Sequence, residues 1–344
     1  MLNQNKRTTI KDVAEAAGVS VASVSHIVNG TRPLSAEVTT RILDAIKRLN
    51  YKPNQIAQNL RRGKSKVVAF IISNLDNLFY LEIARGMRKI LESAGYNLIL
   101  SDSVENKDIE TASVESLVAR GVDGLIIAPT TPDCSYLSTI VPADFPVVFV
   151  DRQAENYEAD SILLFNYEAA YMASNYFISK GYKKIGFLSF HYGQKKPDKT
   201  MQERIDGYKK ALSDTGIEID PGLIAVIPGV SGSVGGLQYT ESYSKMADLC
   251  NNNVRAVLCG NSLSAVGAYS YLKENNIKIP QEVSILTFDD DQWLSLTTPE
   301  ISSVAQPTEQ FGMLAAQRLL RRIAREGGSF EFIRLKAKLV LRAS

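Results

Sequence analysis

From residue 67 onward the sequence alternates between two textures. Short runs of β-branched and aliphatic residues occur at Val67–Ile72, Asn97–Leu100, Gly124–Ile127, Val147–Val150, Lys184–Leu188, Leu223–Ile227, Ala256–Leu258 and Ser284–Phe288. Between most of them lie stretches with helical periodicity, including Tyr80–Ser93, Ile109–Arg120, Tyr167–Ser179, Arg204–Asp214 and Ser264–Glu274. Strands separated in this way pair in parallel, with the helices as crossovers on the sheet faces. More than six strands in about 240 residues predict two parallel-sheet units. Further on, Phe311, Leu314, Ala315, Leu319 and Ile323 fall at helical spacing within Thr308–Arg325, and Phe330–Arg342 reads as one strand-like stretch.

Ligands of open α/β sheets bind at the carboxyl ends of the strands. The residues after each strand are therefore the candidates for a binding site. Asn74 to Tyr80 follow Ile72, Asp151 and Arg152 follow Val150, and Cys259, Gly260 and Asn261 follow Leu258. Asp289, Asp290, Asp291, Gln292 and Trp293 follow Phe288, and Arg204 opens a helix beyond the Lys184–Leu188 strand. Carboxylates, guanidinium groups, an amide and an aromatic platform suit a polyhydroxylated or carboxylated small molecule.

Residues 1–66 differ in charge and in pattern. They carry 12 Lys and Arg against 4 Asp and Glu, a net +8, whereas the remainder, with 27 basic and 33 acidic residues, carries −6. A basic head on an acidic body is the electrostatic footprint of a nucleic-acid binder. Thr9-Ile10-Lys11-Asp12 has the form of a capping box opening a helix through Val13, Ala14, Ala16 and Ala17. Gly18 supplies the left-handed turn that ends it, Val19 pins the turn, and Ser20 caps a second helix running through Val28. Two short helices joined by a tight glycine turn form a helix-turn-helix, with Ala14, Val19 and Val24 as the small core between them.

Val21, Ala22 and His26 fall within about 140° of one another at the N-terminal end of the second helix, the part that enters a major groove. His26 can bond a base edge or a phosphate, while Val21 and Ala22 offer apolar contact, as to a thymine methyl. Ser23, Ser25 and Asn29 are short polar groups suited to phosphate oxygens, and Ser20 opens the segment laid into the groove. Ser35 caps a third helix, whose stripe of Val38, Ile42, Leu43, Ile46 and Leu49 closes a three-helix core; Tyr51 and Pro53 mark its end. Asn54 to Gly63 then read either as a flexible linker or as a short helix, marginal alone, that folds on DNA. In the second case Leu60 enters the minor groove as an apolar wedge, with Arg61 among the DNA contacts.

The strings TIKDVAEAAGVSVASVSHIVNG (residues 9–30) and LSAEVTTRILDAIKRLNYKPNQIAQNL (residues 34–60) resemble the DNA-binding head and hinge of the lactose-repressor (LacI/GalR) family, which includes the purine repressor. VDGLIIAP (122–129), FVDR (149–152), GYKKIGFLS (181–189), RIDGY (204–208), IPQEVSILTFDD (279–290) and Gln306-Pro307 match landmarks of that family's effector domain, which is similar to periplasmic sugar-binding proteins. The resemblance spans almost the whole chain.

It implies base reading by Val21, Ala22 and His26, an operator kink at Leu60, and an effector cleft lined by Phe79, Arg152, Arg204, Asn261 and Asp289. The chain is expected to cross between two subdomains near residues 165, 300 and 335. The implied architecture is an all-α helix-turn-helix head (1–53), a hinge helix and linker (54–66) and an α/β periplasmic-binding-protein-like body of two parallel-sheet subdomains (67–344). The N-subdomain takes about 67–165 and 305–335, and the C-subdomain about 166–304 and 336–344. The implied function is that of a sequence-specific transcription regulator, a repressor of operator DNA under allosteric control by a small effector.

The sequence departs from the family at Leu78, where proline is usual, at Ser262 after Asn261, where Asp is usual, and at Phe165-Asn166, where Asp is common. The Asp-Asp-x-x-Trp segment points first to a sugar or sugar acid. No heptad repeat ends the chain, so a homodimer is expected.

Other classes of function find little support. There is no GxGxxG, Walker, HExxH or GxSxG motif, and the Gly-rich run from Gly229 to Gly236 has neither the Walker lysine nor dinucleotide spacing, so an enzyme is not expected. Cys134, Cys250 and Cys259 form no CxxC pair, and His26 and His191 are far apart, so neither a metal site nor a cofactor is expected. No run of about 18 apolar residues exists, which argues against a membrane partner. The opening MLNQNKRTTIKD lacks the apolar core of a secretory signal, which favours a cytoplasmic protein over an exported solute-binding protein.

Overall fold

The computed structural model describes residues 8–29, 31–51, 64–192, 198–229 and 236–344. The chain divides into two compact units, Met1–Ser65 and Lys66–Ser344.

Among its described residues the first unit holds three helices, α1 (Ile10–Ala17), α2 (Val21–Asn29) and α3 (Ala36–Arg48). Thr9 and Asp12 form the expected reciprocal cap. The Asp12 N–H donates to Thr9 Oγ1 at 3.3 Å and the Thr9 N–H donates to Asp12 Oδ2 at 2.7 Å. Gly18 takes the left-handed conformation (φ +62°) that ends α1, and Val19 N–H closes back on Ala14 O at 3.0 Å. Ser35 accepts the Val38 N–H and caps α3. Val13, Ala14, Ala17, Val24, Ile42 and Ala45 are buried together, with Val19 packed against them. Leu43, expected in the α3 stripe, instead lies 52 % exposed. It sits one residue beyond Ile42, about 100° round the helix, and Ala45 takes the inward place. Residues 52–63, which carry the expected hinge helix with Leu60 and Arg61, lie outside the described residues.

Among its described residues the second unit contains two six-stranded sheets. The first has the order β11-β5-β4-β3-β1-β2, built from β1 (Val67–Ile72), β2 (Asn97–Asp102), β3 (Leu125–Ile127), β4 (Val147–Val150), β5 (Asp160–Leu164) and β11 (Phe332–Leu335), all parallel. The second has the order β12-β10-β9-β8-β6-β7, built from β6 (Ile185–Tyr192), β7 (Ile224–Gly229), β8 (Ala256–Cys259), β9 (Ser284–Phe288), β10 (Ser302–Ala305) and β12 (Lys338–Val340). Only β12 runs antiparallel to its neighbour there. The crossover helices are α4 (Leu78–Ser93), α5 (Lys107–Ala119), α6 (Leu137–Ile140), α7 (Asn166–Ser179), α8 (Lys199–Asp214), α9 (Gly236–Asn251), α10 (Ser262–Glu274) and α11 (Thr308–Ile323). They pack in pairs, α4 with α11, α7 with α8 and α9 with α10.

The chain passes from the first sheet to the second after β5, returns after β10 and passes again between β11 and β12. Three features differ from the sequence reading. The segment 330–342 is two strands in different sheets, broken at Lys336-Ala337. Strands β5 and β10 were not expected, because Asp160, Ser302 and Ser303 break their apolar runs. Each of these polar groups is buried with a partner: Asp160 with Arg322 Nε at 2.7 Å, the Ser302 N–H with Ser344 Oγ at 2.8 Å, and Ser303 Oγ with Asp290 Oδ1 at 2.6 Å.

Candidate functional site

The head presents α2. The Ser23 N–H donates to Ser20 Oγ at 3.1 Å, fixing the helix start. Val24 is turned fully inward, which leaves Ser20, Val21 and Ala22 exposed at the tip and Ser23, Ser25, His26 and Asn29 half-buried. His26 Nδ1 lies 2.9 Å from Thr31 Oγ1, so the ring is oriented and its Nε2 is the nitrogen left to meet an outside partner. Asn29 Nδ2 donates to the carbonyl oxygen of Ser25 at 2.7 Å and to its hydroxyl at 3.0 Å, so these two expected phosphate contacts brace each other. Seven of the nine expected DNA contacts thus sit on one helix and its cap; Leu60 and Arg61 lie outside the described residues.

In the body, Phe79, Arg152, Arg204, Asn261 and Asp289 line one cavity with about 540 Å³ of empty space, partly open to solvent. Local structure places each of them. Asn77 caps α4 by accepting the Phe79 N–H at 3.1 Å, which sets Phe79 in the first turn. Asp198 caps α8 by accepting the Met201 N–H at 3.0 Å and so sets the turn that carries Arg204. Asn261 accepts the Ser264 N–H at 2.8 Å and caps α10. Asp151 after β4 and Asp289 after β9 both adopt left-handed backbone, φ +67° and +72°. The same kink follows a strand of each sheet.

Tyr80 and Asp151, already among the strand-end candidates, line it too, as do Glu105, Asp198 and Gln306, which sequence reasoning did not assign to the cleft. Glu105 lies three residues beyond the end of β2, a strand end like those that supply Arg152 and Asp289. Arg152 and Glu105 form a two-pronged ion pair, Nη1 to Oε2 and Nη2 to Oε1, each at 2.7 Å. Burial pushes the Glu105 carboxyl above its ordinary range against the pull of Arg152. Tyr80 donates to Asp151 Oδ2 at 2.9 Å and takes a bond from Ser73 Oγ at 2.9 Å. Arg204 donates from Nε to Asn166 Oδ1 at 2.8 Å and from Nη1 to Gly260 O at 2.5 Å, and it stacks 4.1 Å from the Phe288 ring centroid. Asp289 accepts from Gln306 Nε2 at 2.7 Å and from the Ser262 N–H at 3.3 Å. Burial raises the Asp289 carboxyl to about 6, although Arg204 pulls it down.

The Asp-Asp-x-x-Trp segment does not enter the cleft as a unit. Asp290 pairs with Arg342 at 2.7 Å, Asp291 accepts from the Ser262 hydroxyl, and Trp293 packs against Tyr269 with centroids 6.2 Å apart. The aromatic wall comes from Phe79 and Phe190 instead. Among the described residues no group of three or more His, Cys, Asp or Glu could hold a metal ion, and no helix is long and apolar enough to cross a membrane.

A capped helix-turn-helix ahead of two parallel sheets that share a polar cleft defines a DNA-binding regulator with a ligand-binding body. Residues 9–54 match the family described as bacterial regulatory proteins, lacI family, and residues 65–342 match periplasmic binding proteins and sugar binding domain of LacI family. The chain belongs to the LacI family and is a DNA-binding transcription regulator. It is 32 % identical over 316 residues to the HTH-type transcriptional regulator RegA of Clostridium saccharobutylicum, covering 91 % of this chain and 92 % of that one. It is 30 % identical over 338 residues to the ribose operon repressor of Haemophilus influenzae, covering 98 % of each. Among solved structures, a LacI family transcriptional regulator from Enterococcus faecium with bound ribose superposes with a TM-score of 0.71 at 25 % identity, over 81 % of this chain and 98 % of that one.

Proposed function

We propose that this protein represses transcription as a homodimer on paired operator half-sites, and that a sugar bound in the body cleft sets its affinity for DNA. It acts by binding rather than by catalysis, in the cytoplasm. The observation that carries the reading is the cleft: buried Arg204 and Asp289, together with Asn261, face one cavity beside an aromatic wall. That combination of hydrogen-bonding fork, acceptor and flat apolar face suits a hydroxylated ring. The ribose held by the Enterococcus faecium relative and the name of the Haemophilus influenzae relative point the same way.

In this reading Val21, Ala22 and His26 meet base edges, Ser20, Ser23, Ser25 and Asn29 meet phosphates, and Leu60 with Arg61 engages the minor groove. Self-association is supported by Ile99, Leu100 and Ile109, which are 40 to 41 % exposed on the first sheet's outer strand and the helix beside it. The test joins two measurements on the purified chain. Binding to genomic fragments is titrated against salt, where a steep loss that is sharper for one fragment is expected. The same fragment is then titrated with sugars, sugar acids, sugar phosphates and nucleobases. A sugar that alters binding in the wild type but not in Arg204→Ala supports the reading. Failure to retard any genomic fragment under every ligand and salt condition refutes it. Leu60→Ala is expected to weaken operator binding and leave the body's thermal stability unchanged.

A further inference from the structure

Among the described residues, the cleft is lined by four carboxylates, Glu105, Asp151, Asp198 and Asp289, and two guanidinium groups, Arg152 and Arg204. Glu105 reaches it through an uncommon turn. Val104 and Glu105 both take left-handed backbone, φ +50° and +53°, and the Glu105 N–H is held by Ser73 O at 2.7 Å. Non-glycine residues are uncommon in that region, and valine, being β-branched, is the more strained of the two. The ion pair that this turn creates is a poor device for folding. Taking two charges out of water costs several kcal/mol, and a well-made buried pair does little better than an apolar replacement. A strained turn and a costly pair meet at the wall of a ligand cavity, where their effect falls on what can bind.

A guanidinium fork is the natural partner of a carboxylate or phosphate. The Arg152 fork faces the cavity already filled, both terminal nitrogens held by Glu105 at 2.7 Å. An anionic ligand would have to displace Glu105 and leave it buried without its partner, among described lining residues in which carboxylates outnumber guanidinium groups. Gln306 provides a second, independent sign. Its Nε2 donates to Asp289, while its Oε1 is buried without a partner among the described residues. That oxygen wants a hydrogen-bond donor. A hydroxyl supplies one, so this point of the cavity asks for a hydroxyl-bearing ligand, while the exclusion of its anionic counterpart rests on the filled Arg152 fork.

We propose that Glu105 is the specificity-determining residue of the cleft: by holding the Arg152 fork it admits an uncharged, hydroxyl-bearing ligand and excludes the carboxylate or phosphate counterpart. The inference rests on the reading of this cleft as the effector site, and it narrows the choice between sugar and sugar acid to the sugar.

The test uses the full chain and matched probes: D-glucose with D-gluconate, D-ribose with D-ribose 5-phosphate, and inorganic phosphate alone. Binding is read by thermal shift and calorimetry. The wild type is expected to show no anion binding that depends on Arg204. Glu105→Gln opens the fork and gains anion affinity by about tenfold or more, the worth of one charge-assisted hydrogen bond. The gain disappears in Glu105→Gln/Arg152→Gln, which restores the original charge balance. Glu105→Asp, which keeps the charge on a shorter arm, gives a smaller gain in the same direction and serves if the glutamine variant folds poorly. The proposal is overturned if the wild type binds gluconate or ribose 5-phosphate as tightly as the uncharged partner, or if neither Glu105 variant gains anion affinity. Failure of the underlying reading looks different: a sugar binds the wild type, and Arg204→Ala leaves that binding unchanged.

Discussion

Asp289→Asn is expected to stabilise the protein at neutral pH while removing its response to ligand. Asp289 is buried and its carboxyl is raised to about 6, chiefly by burial. The folded chain therefore holds this proton more tightly than the unfolded chain, where an aspartate titrates near about 3.9. Stability linked to the proton is fully present below that unfolded value and is lost as pH rises through about 6. A difference of about two pH units corresponds to about 3 kcal/mol of unfavourable ionisation at pH 8, with the attraction of Arg204 already counted. Asparagine mimics the protonated acid. Its Oδ1 can still accept the Ser262 N–H, and its amide N–H can donate to Gln306 Oε1, which now lacks a partner, once the Gln306 amide turns over. For a body of this size about 3 kcal/mol is roughly 5–10 °C in Tm. Scanning calorimetry should show the variant melting higher at pH 8, the gap narrowing to about half near pH 5 and closing only below about pH 4, the unfolded value. A variant that melts lower than the wild type at pH 8, or that keeps the wild-type slope between pH 5 and 7, would refute the argument.

Three further outcomes follow from the packing. Gly312→Ala should cost about 2–3 kcal/mol in a thermal melt, because its Cβ would stand 2.0 Å from the Ile83 carbonyl oxygen and 2.6 Å from the Met87 nitrogen, both backbone atoms of α4; wild-type stability would mean the helices can part freely. Thr9→Ala should weaken α1 by about 1 kcal/mol, seen as roughly fivefold lower hydrogen-exchange protection of its amides with the body unaffected. Glu203→Gln removes a two-pronged pair with Arg334, at 3.1 and 3.2 Å, that ties α8 of one sheet's layer to β11 of the other. Being partly exposed, the pair is worth about 0.5–1 kcal/mol, so affinity for a ligand of the cleft should fall by about two- to fivefold, and calorimetry showing no change would mean that ligand binding does not depend on this pairing.

The head was legible almost residue by residue because its signals are local. A cap, a left-handed glycine and a second cap each act within four residues, and Thr9, Gly18 and Ser20 behave accordingly. The alternation of strands and helices was legible for the same reason. What escaped were features decided by distant partners. Asp160 in β5 is tolerated because Arg322 and the Glu331 N–H, both far along the chain, reach it, and Ser302 in β10 is held by Ser344. Trp293 read as a ligand platform because it follows the end of a strand, yet its ring packs against Tyr269 on α10 and does not line the cavity. Glu105 was missed although it stands at a strand end, since nothing local marks its pairing with Arg152. The five cleft residues inferred from the family resemblance do converge on one cavity, but spacing alone could not have shown that the Arg152 fork is already occupied.

The cleft is also wired to the segments that join the two sheets, and this explains how a small ligand can act beyond its own contacts. Asn166 opens α7 just after the first crossing, and its side chain accepts from Arg204. Gln306 lies in the second crossing, between β10 and α11, and donates to Asp289. Thr200, on α8, donates across the cleft to the backbone oxygen of Asp151, at 3.2 Å. Two of the side chains best placed to hold a ligand therefore spend hydrogen bonds on the connections themselves. A ligand that recruited Arg204 or Asp289 would compete with or reinforce those bonds and so would bias the angle between the sheets. The effect needs only about 1–3 kcal/mol of unequal affinity for two arrangements, the worth of one or two such bonds.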